Sequence, residues 1–176
     1  MTPNNQTRTT PKSEVMITRV FDAPRRLVWK AWTDPETMKR WWGPKNFTAP
    51  IVEIDLRVGG KSLACMRSPE GKDYWSTGVY QEIVPMERLV MTDSFADEKG
   101  NVVPATHYGM SKDFPRELLI TVTFEKQNGK TTMTLRHGPT DKMSAADRDG
   151  MEQGWNESFD KLEEELRKQK LLAEPV

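Results

Sequence analysis

The chain holds one cysteine, Cys65, and two histidines, His107 and His137, among its 176 residues. A single thiol excludes an internal disulfide. Two separated imidazoles, with no thiol beside them, fall short of the clustered ligands that zinc needs, and no metal is expected. Charge has no direction either, because Lys plus Arg and Asp plus Glu both total 26. Such a surface offers no basic face to nucleic acid, which is not expected as a partner. No apolar run nears the ~20 residues of a membrane-spanning helix. Residues 1–13, MTPNNQTRTTPKS, lack the apolar stretch of a secretion signal, and a reducing, cytoplasmic location is expected. They also lack periodicity. The expected organisation is a disordered tail at 1–13, one domain at 14–170 and a short C-terminal tail at 171–176.

Catalytic signatures are missing too. The run 58-VGGKS-62 ends like a phosphate-binding loop, but the first glycine of that motif would fall at Asp55 and no helix pattern follows. Neither a G-x-S-x-G elbow nor a dinucleotide fingerprint occurs, and no cofactor is expected. Cys65 lies in a strand-like segment and reads as a buried, inert thiol.

Large apolar side chains are abundant, with ten Met and six Trp. They suit an ordinary core and equally a cavity for an apolar ligand. The segment 14-EVMITRVF-21, rich in β-branched and aromatic residues, predicts a first strand. Pro24 and the Asp34-Pro35-Glu36 run each mark a helix start, the second helix running to about Trp42. In 38-MKRWWGPKNF-47, Gly43 can close that helix in a left-handed conformation and Pro44 cannot extend it. Adjacent helical residues point about 100° apart, so Trp41 and Trp42 cannot enter the same pocket. Either one packs while the other faces a groove, or both pin the helix to the sheet.

From residue 48 to 138, strand patterns at 48–56, 61–68, 74–84, 88–96 and 118–126 follow one another without a helix, which predicts an antiparallel, mostly meandering sheet. Asn128-Gly129 between two alternating runs predicts a two-residue hairpin turn. That turn sets the register: Gln127 with Lys130, Phe124 with Met133, Val122 with Leu135 and Ile120 with His137. His137 then sits on the apolar face, opposite the wet face of Thr121, Thr123, Glu125, Thr132, Thr134 and Arg136. Its role is either a hydrogen-bonded rim histidine or an acid–base group. Glu53 and Glu82 are expected to face solvent.

Ser144 and Asp147 have capping-box spacing ahead of a long helix. Met151, Trp155, Phe159, Leu162 and Leu166 form its apolar stripe. Gly150 and Gly154 each cost that helix about 1 kcal/mol relative to Ala. Either a strand passes close by or space is kept for a ligand beside Met151 and Trp155. The insertion at 97–117 carries His107, Tyr108, Met110 and Phe114, apolar enough to cover a cavity or meet a second copy.

The segments 19-RVFDAPRRLVWKAWTDPETMKRWWGP-44, 78-GVYQEIVPMERLVMTDSFAD-97, 120-ITVTFEKQNGKTTMTLRHG-138 and 154-GWNESFDKLEEEL-166 resemble, in this order, the bacterial family homologous to the activator of the ninety-kilodalton heat-shock protein ATPase. That family belongs to the START-like (SRPBCC) superfamily. The resemblance implies an α+β helix-grip fold, with a curved antiparallel sheet around a long C-terminal helix and two short helices after the first strand. It also implies a hydrophobic cavity between sheet and helix. The expected cavity residues are Trp32, Trp41, Trp42, Trp75 and Trp155, with Phe47, Phe124, Phe159, Tyr80, Tyr108, Met91, Met110, Met133, Met151 and His137.

Three functions remain open on this reading. The leading one is non-enzymatic binding of a small hydrophobic or amphipathic ligand. Another is a polyketide cyclase or aromatase-like enzyme, with His107, Tyr108 and His137 as acid and base. The third is a protein-interaction module making a weak contact with a chaperone or with a second copy.

Overall fold

The computed structural model describes residues 13–173. Seven strands form one antiparallel sheet: β1 (Val15–Phe21), β2 (Thr48–Ile54), β3 (Lys61–Arg67), β4 (Asp73–Val84), β5 (Arg88–Ala96), β6 (Leu118–Gln127) and β7 (Lys130–Gly138). Their order across the sheet is β1-β7-β6-β5-β4-β3-β2, so every neighbouring pair except β1 and β7 is consecutive in the chain. The sheet curls into a half-barrel. Gly78 assists the curl, since a Cβ there would overlap the carbonyl oxygen of Thr92 on β5.

Two short helices, α1 (Arg25–Thr33) and α2 (Pro35–Met38), follow β1, and a long helix, α3 (Ala145–Ala173), closes the chain. The fold is the expected helix grip. The helix α3 continues to Ala173, past the expected start of a C-terminal tail. The expected tail at 1–13 lies outside the described residues except for Ser13, as do residues 174–176.

The β6–β7 hairpin has the predicted register, with Ile120 opposite His137 and Gln127 opposite Lys130. Asn128 at φ 52° and Gly129 at φ 81° make the tight turn that sets it. Alternation puts Leu118, Ile120, Val122, Phe124, Met133, Leu135 and His137 on the buried face.

Asp34 starts α2 by accepting hydrogen bonds from the Thr37 backbone N–H at 3.0 Å and hydroxyl at 2.7 Å. That helix ends at Met38, earlier than expected, and tighter turns carry the chain to Trp41. Gly43 takes φ 102° and ends the run. At the start of α3, the Ser144 hydroxyl accepts from the Asp147 N–H at 3.1 Å. The Asp147 carboxylate does not return to Ser144. It accepts from the Ser111 N–H at 3.0 Å and ties the 97–117 insertion to the helix.

Four tryptophans meet at the centre. Trp32 is fully buried, with ring centroids 5.0 Å from Trp41, 6.2 Å from Trp42 and 5.9 Å from Trp155. Its N–H reaches the Met133 sulfur at 3.2 Å, and the Trp41 N–H donates to the Ala31 carbonyl at 3.0 Å. Trp32 and Trp41 thus bury their rings without abandoning their one donor.

Candidate functional site

Helix α3 packs against α1 and β1, and its N-terminal half stands off from β3, β4 and β5. The space between is a cavity of about 460 Å³. Small-molecule sites run from about 300 to 1,000 Å³.

Three segments wall the cavity. Trp42, Gly43, Pro44 and Phe47 form one side, and Met110, Phe114 and Pro115 of the insertion form another. Gly150, Met151, Gly154 and Trp155 of α3 form the roof. A Cβ added at Gly150 would meet nothing within 4 Å, and one at Gly154 would make only ordinary contact with Pro44 at 3.6 Å. Close approach to a strand therefore does not explain these glycines. Their missing side chains widen the cavity.

The loop wall is fastened to α3. Lys161 donates to the Pro44 and Phe47 carbonyls at 3.1 and 3.2 Å, and Glu157 accepts from the Lys45 N–H at 3.1 Å. Glu157 and Lys161 stand one helical turn apart, so one face of α3 holds both ends of the loop. Burial pulls the Lys161 ammonium below its ordinary pKa. Hydrogen bonding from the Gln153 side chain, then from the Lys45 backbone, lowers that of Glu157.

The cavity has one polar end. His137 Nε2 lies 2.8 Å from Asp93 Oδ2, and the Trp155 N–H donates to His137 Nδ1 at 2.9 Å. An indole nitrogen only donates, so Nδ1 accepts and the imidazole proton sits on Nε2, given to Asp93. Both ring nitrogens are engaged within the protein.

Of the expected cavity residues, Trp42, Phe47, Met110, His137, Met151 and Trp155 border this space. Trp32, Trp41, Phe124, Met133 and Phe159 do not; they fill the core below it. Trp32, Tyr80 and Met91 border a second void of about 30 Å³, too small for an organic ligand. Trp75 pairs with Cys65 and points to the opposite sheet face from Ser76, which borders the main cavity. Tyr108 is buried, its hydroxyl donating to the Ala96 carbonyl and accepting from the Trp75 N–H. Burial raises its pKa. His107 is exposed and packs edge-on against Tyr108 at 4.8 Å.

Sequence reasoning missed Asp93, Tyr74, Phe95 and Ser158, which also line the cavity. For Asp93 a signal existed: the period-two series Leu89, Met91, Asp93 places an acid on an otherwise apolar strand face. Among the described residues, no group of acidic, histidine and cysteine side chains could hold a metal. No helix among them is long and apolar enough to cross a membrane.

A half-barrel gripping a long helix, with a cavity between them, defines a helix-grip protein of the START-like class. The chain belongs to the family described as activator of Hsp90 ATPase homolog 1-like protein, which matches residues 22–167. Among solved structures, it is similar to a protein from Nitrosomonas europaea, with 24% identity and a TM-score of 0.75, over 93% of this chain and 99% of that one. A protein from Arthrobacter aurescens is 29% identical with a TM-score of 0.74, over 89% and 87% of the two chains. A family protein from Silicibacter pomeroyi shares the fold at 20% identity and a TM-score of 0.69, over 89% and 99%. Among curated proteins none matches the chain.

Proposed function

We propose that this protein binds one small, largely apolar ligand in the cavity between α3 and the sheet, without transforming it. The observation that carries this reading is the space of about 460 Å³ beneath two helix glycines, where a side chain at Gly150 would meet nothing and one at Gly154 only ordinary contact with Pro44. An ordinary core would fill such a void, because unfilled apolar volume costs stability.

Catalysis finds less support. An acid–base group must present a proton or lone pair to substrate, and both His137 nitrogens are occupied by Asp93 and Trp155. Tyr108 turns its hydroxyl to the backbone of β4 and β5. The two side chains do not converge on the cavity, and His107 lies outside it.

Trp42 and Trp155 border the cavity, so ligand entry should alter tryptophan emission. The test is titration with a panel of apolar probes, followed by emission and by native mass spectrometry. A saturable one-to-one complex is expected. Absence of any bound probe would overturn the reading.

A further inference from the structure

We propose that the ligand is an amphipathic organic cation: a protonated amine on an apolar body, its ammonium group held between Asp93 and the aromatic walls. This rests on the binding reading above and assigns the chemistry of the head group.

The charges around the cavity point one way. Among the described residues its charged lining is Asp93 and Asp147, with no Lys or Arg. Asp93 Oδ2 accepts the hydrogen bond from His137 Nε2–H, and Oδ1 accepts none from the described residues. An entering ligand therefore meets a vacant acceptor. A carboxylate or phosphate head would face two acids with no counter-charge, in a space where desolvated charges must be paired.

A positive feature beside Asp147 is the N-terminus of α3, which would ordinarily attract an anion. It is already answered by the Ser144 hydroxyl on the Asp147 N–H and by the Asp147 carboxylate itself. Of the half-buried cations on α3, Lys161 places two donors on the Pro44 and Phe47 carbonyls and Arg148 bonds the Glu14 carbonyl and the Thr140 hydroxyl. A second independent observation comes from Ser158. It borders the cavity at 4% exposure, and its hydroxyl has no partner among the described residues. A buried unpartnered hydroxyl is costly, and a polar head group on the ligand would satisfy it.

The walls fit the same head group. Trp42, Phe47, Tyr74, Phe95, Phe114 and Trp155 surround the space, and ring faces attract ammonium groups through the ring quadrupole.

The experiment compares three probes that share one body, naphthylethylamine, naphthylethanol and naphthylacetate, by calorimetry on the full chain. The amine is expected to bind at least about tenfold more tightly than the alcohol, as a hydrogen bond to a charged group warrants, and the carboxylate most weakly. Asp93→Asn keeps an acceptor for His137 and should bring the amine down to the affinity of the alcohol. If the carboxylate matches the amine, or the amine preference survives Asp93→Asn, the head-group assignment falls while binding stands. If no probe binds, the binding reading falls with it. Should Asp93→Asn not fold, the wild-type ranking alone decides the charge preference.

Discussion

Trp155 and His137 are joined by an indole N–H to Nδ1 hydrogen bond of 2.9 Å, which ties the roof of the cavity to its floor. The bond also determines which tautomer of the imidazole faces Asp93.

Trp155→Phe should therefore cost more than its small change in volume. It leaves a buried lone pair on His137 unsatisfied, a penalty of about 1–3 kcal/mol. Urea denaturation measures the loss, and nitrogen-15 spectra of the histidine ring should place the wild-type proton on Nε2.

At Gly150 stability and cavity volume should separate. Gly150→Ala should stabilise α3 by about 0.8–1 kcal/mol, because the added methyl meets no neighbour. Gly150→Leu would project into the cavity and should abolish probe binding in a protein that still unfolds cooperatively. A destabilised alanine variant would show that the backbone there needs glycine for another reason.

The adjacent tryptophans should behave differently. Trp41 is fully buried and donates to Ala31, so Trp41→Ala should cost about 3–5 kcal/mol. Trp42 borders the cavity, and Trp42→Ala should cost under about 2 kcal/mol while weakening ligand capture. Equal losses in urea midpoints would contradict this division.

Alkali should weaken the fold through two buried acids. Burial pushes the Cys65 thiol from 9.0 to about 11 and the Tyr80 phenol from 10.0 to about 12. In each case the folded state favours the neutral form. The Cys65 contribution is complete below about pH 9 and lost as pH rises through about 11; that of Tyr80 is complete below about pH 10 and lost through about 12. Urea midpoints should fall across that window, and iodoacetamide should leave folded Cys65 unmodified at neutral pH.

Much of this architecture is legible in the sequence because local chemistry determines it. Asn128-Gly129 admits one tight turn, and that turn alone places His137 on the buried face opposite Ile120. Gly43-Pro44 ends the run after α2, and the turn of about 100° between adjacent residues sends the Trp41 and Trp42 rings in different directions. The partner of His137 is legible only in part, because Asp93 lies on β5, beyond β6 in the sheet. The pairing of β5 with β6 is hidden by the insertion between them. Ser158 carries no pattern that distinguishes it from other small residues on the stripe of α3. The roles of Gly150 and Gly154 stay open in sequence because an absent side chain reports equally a close neighbour or an empty one.

The two flanks of the cavity differ in how they are tied to α3. Glu157 and Lys161 rivet the 43–47 loop to α3 through three hydrogen bonds. The insertion meets α3 through one, from Ser111 to Asp147, among the described residues. The insertion side is thus the more lightly tied flank of the cavity, held to α3 by a single backbone N–H.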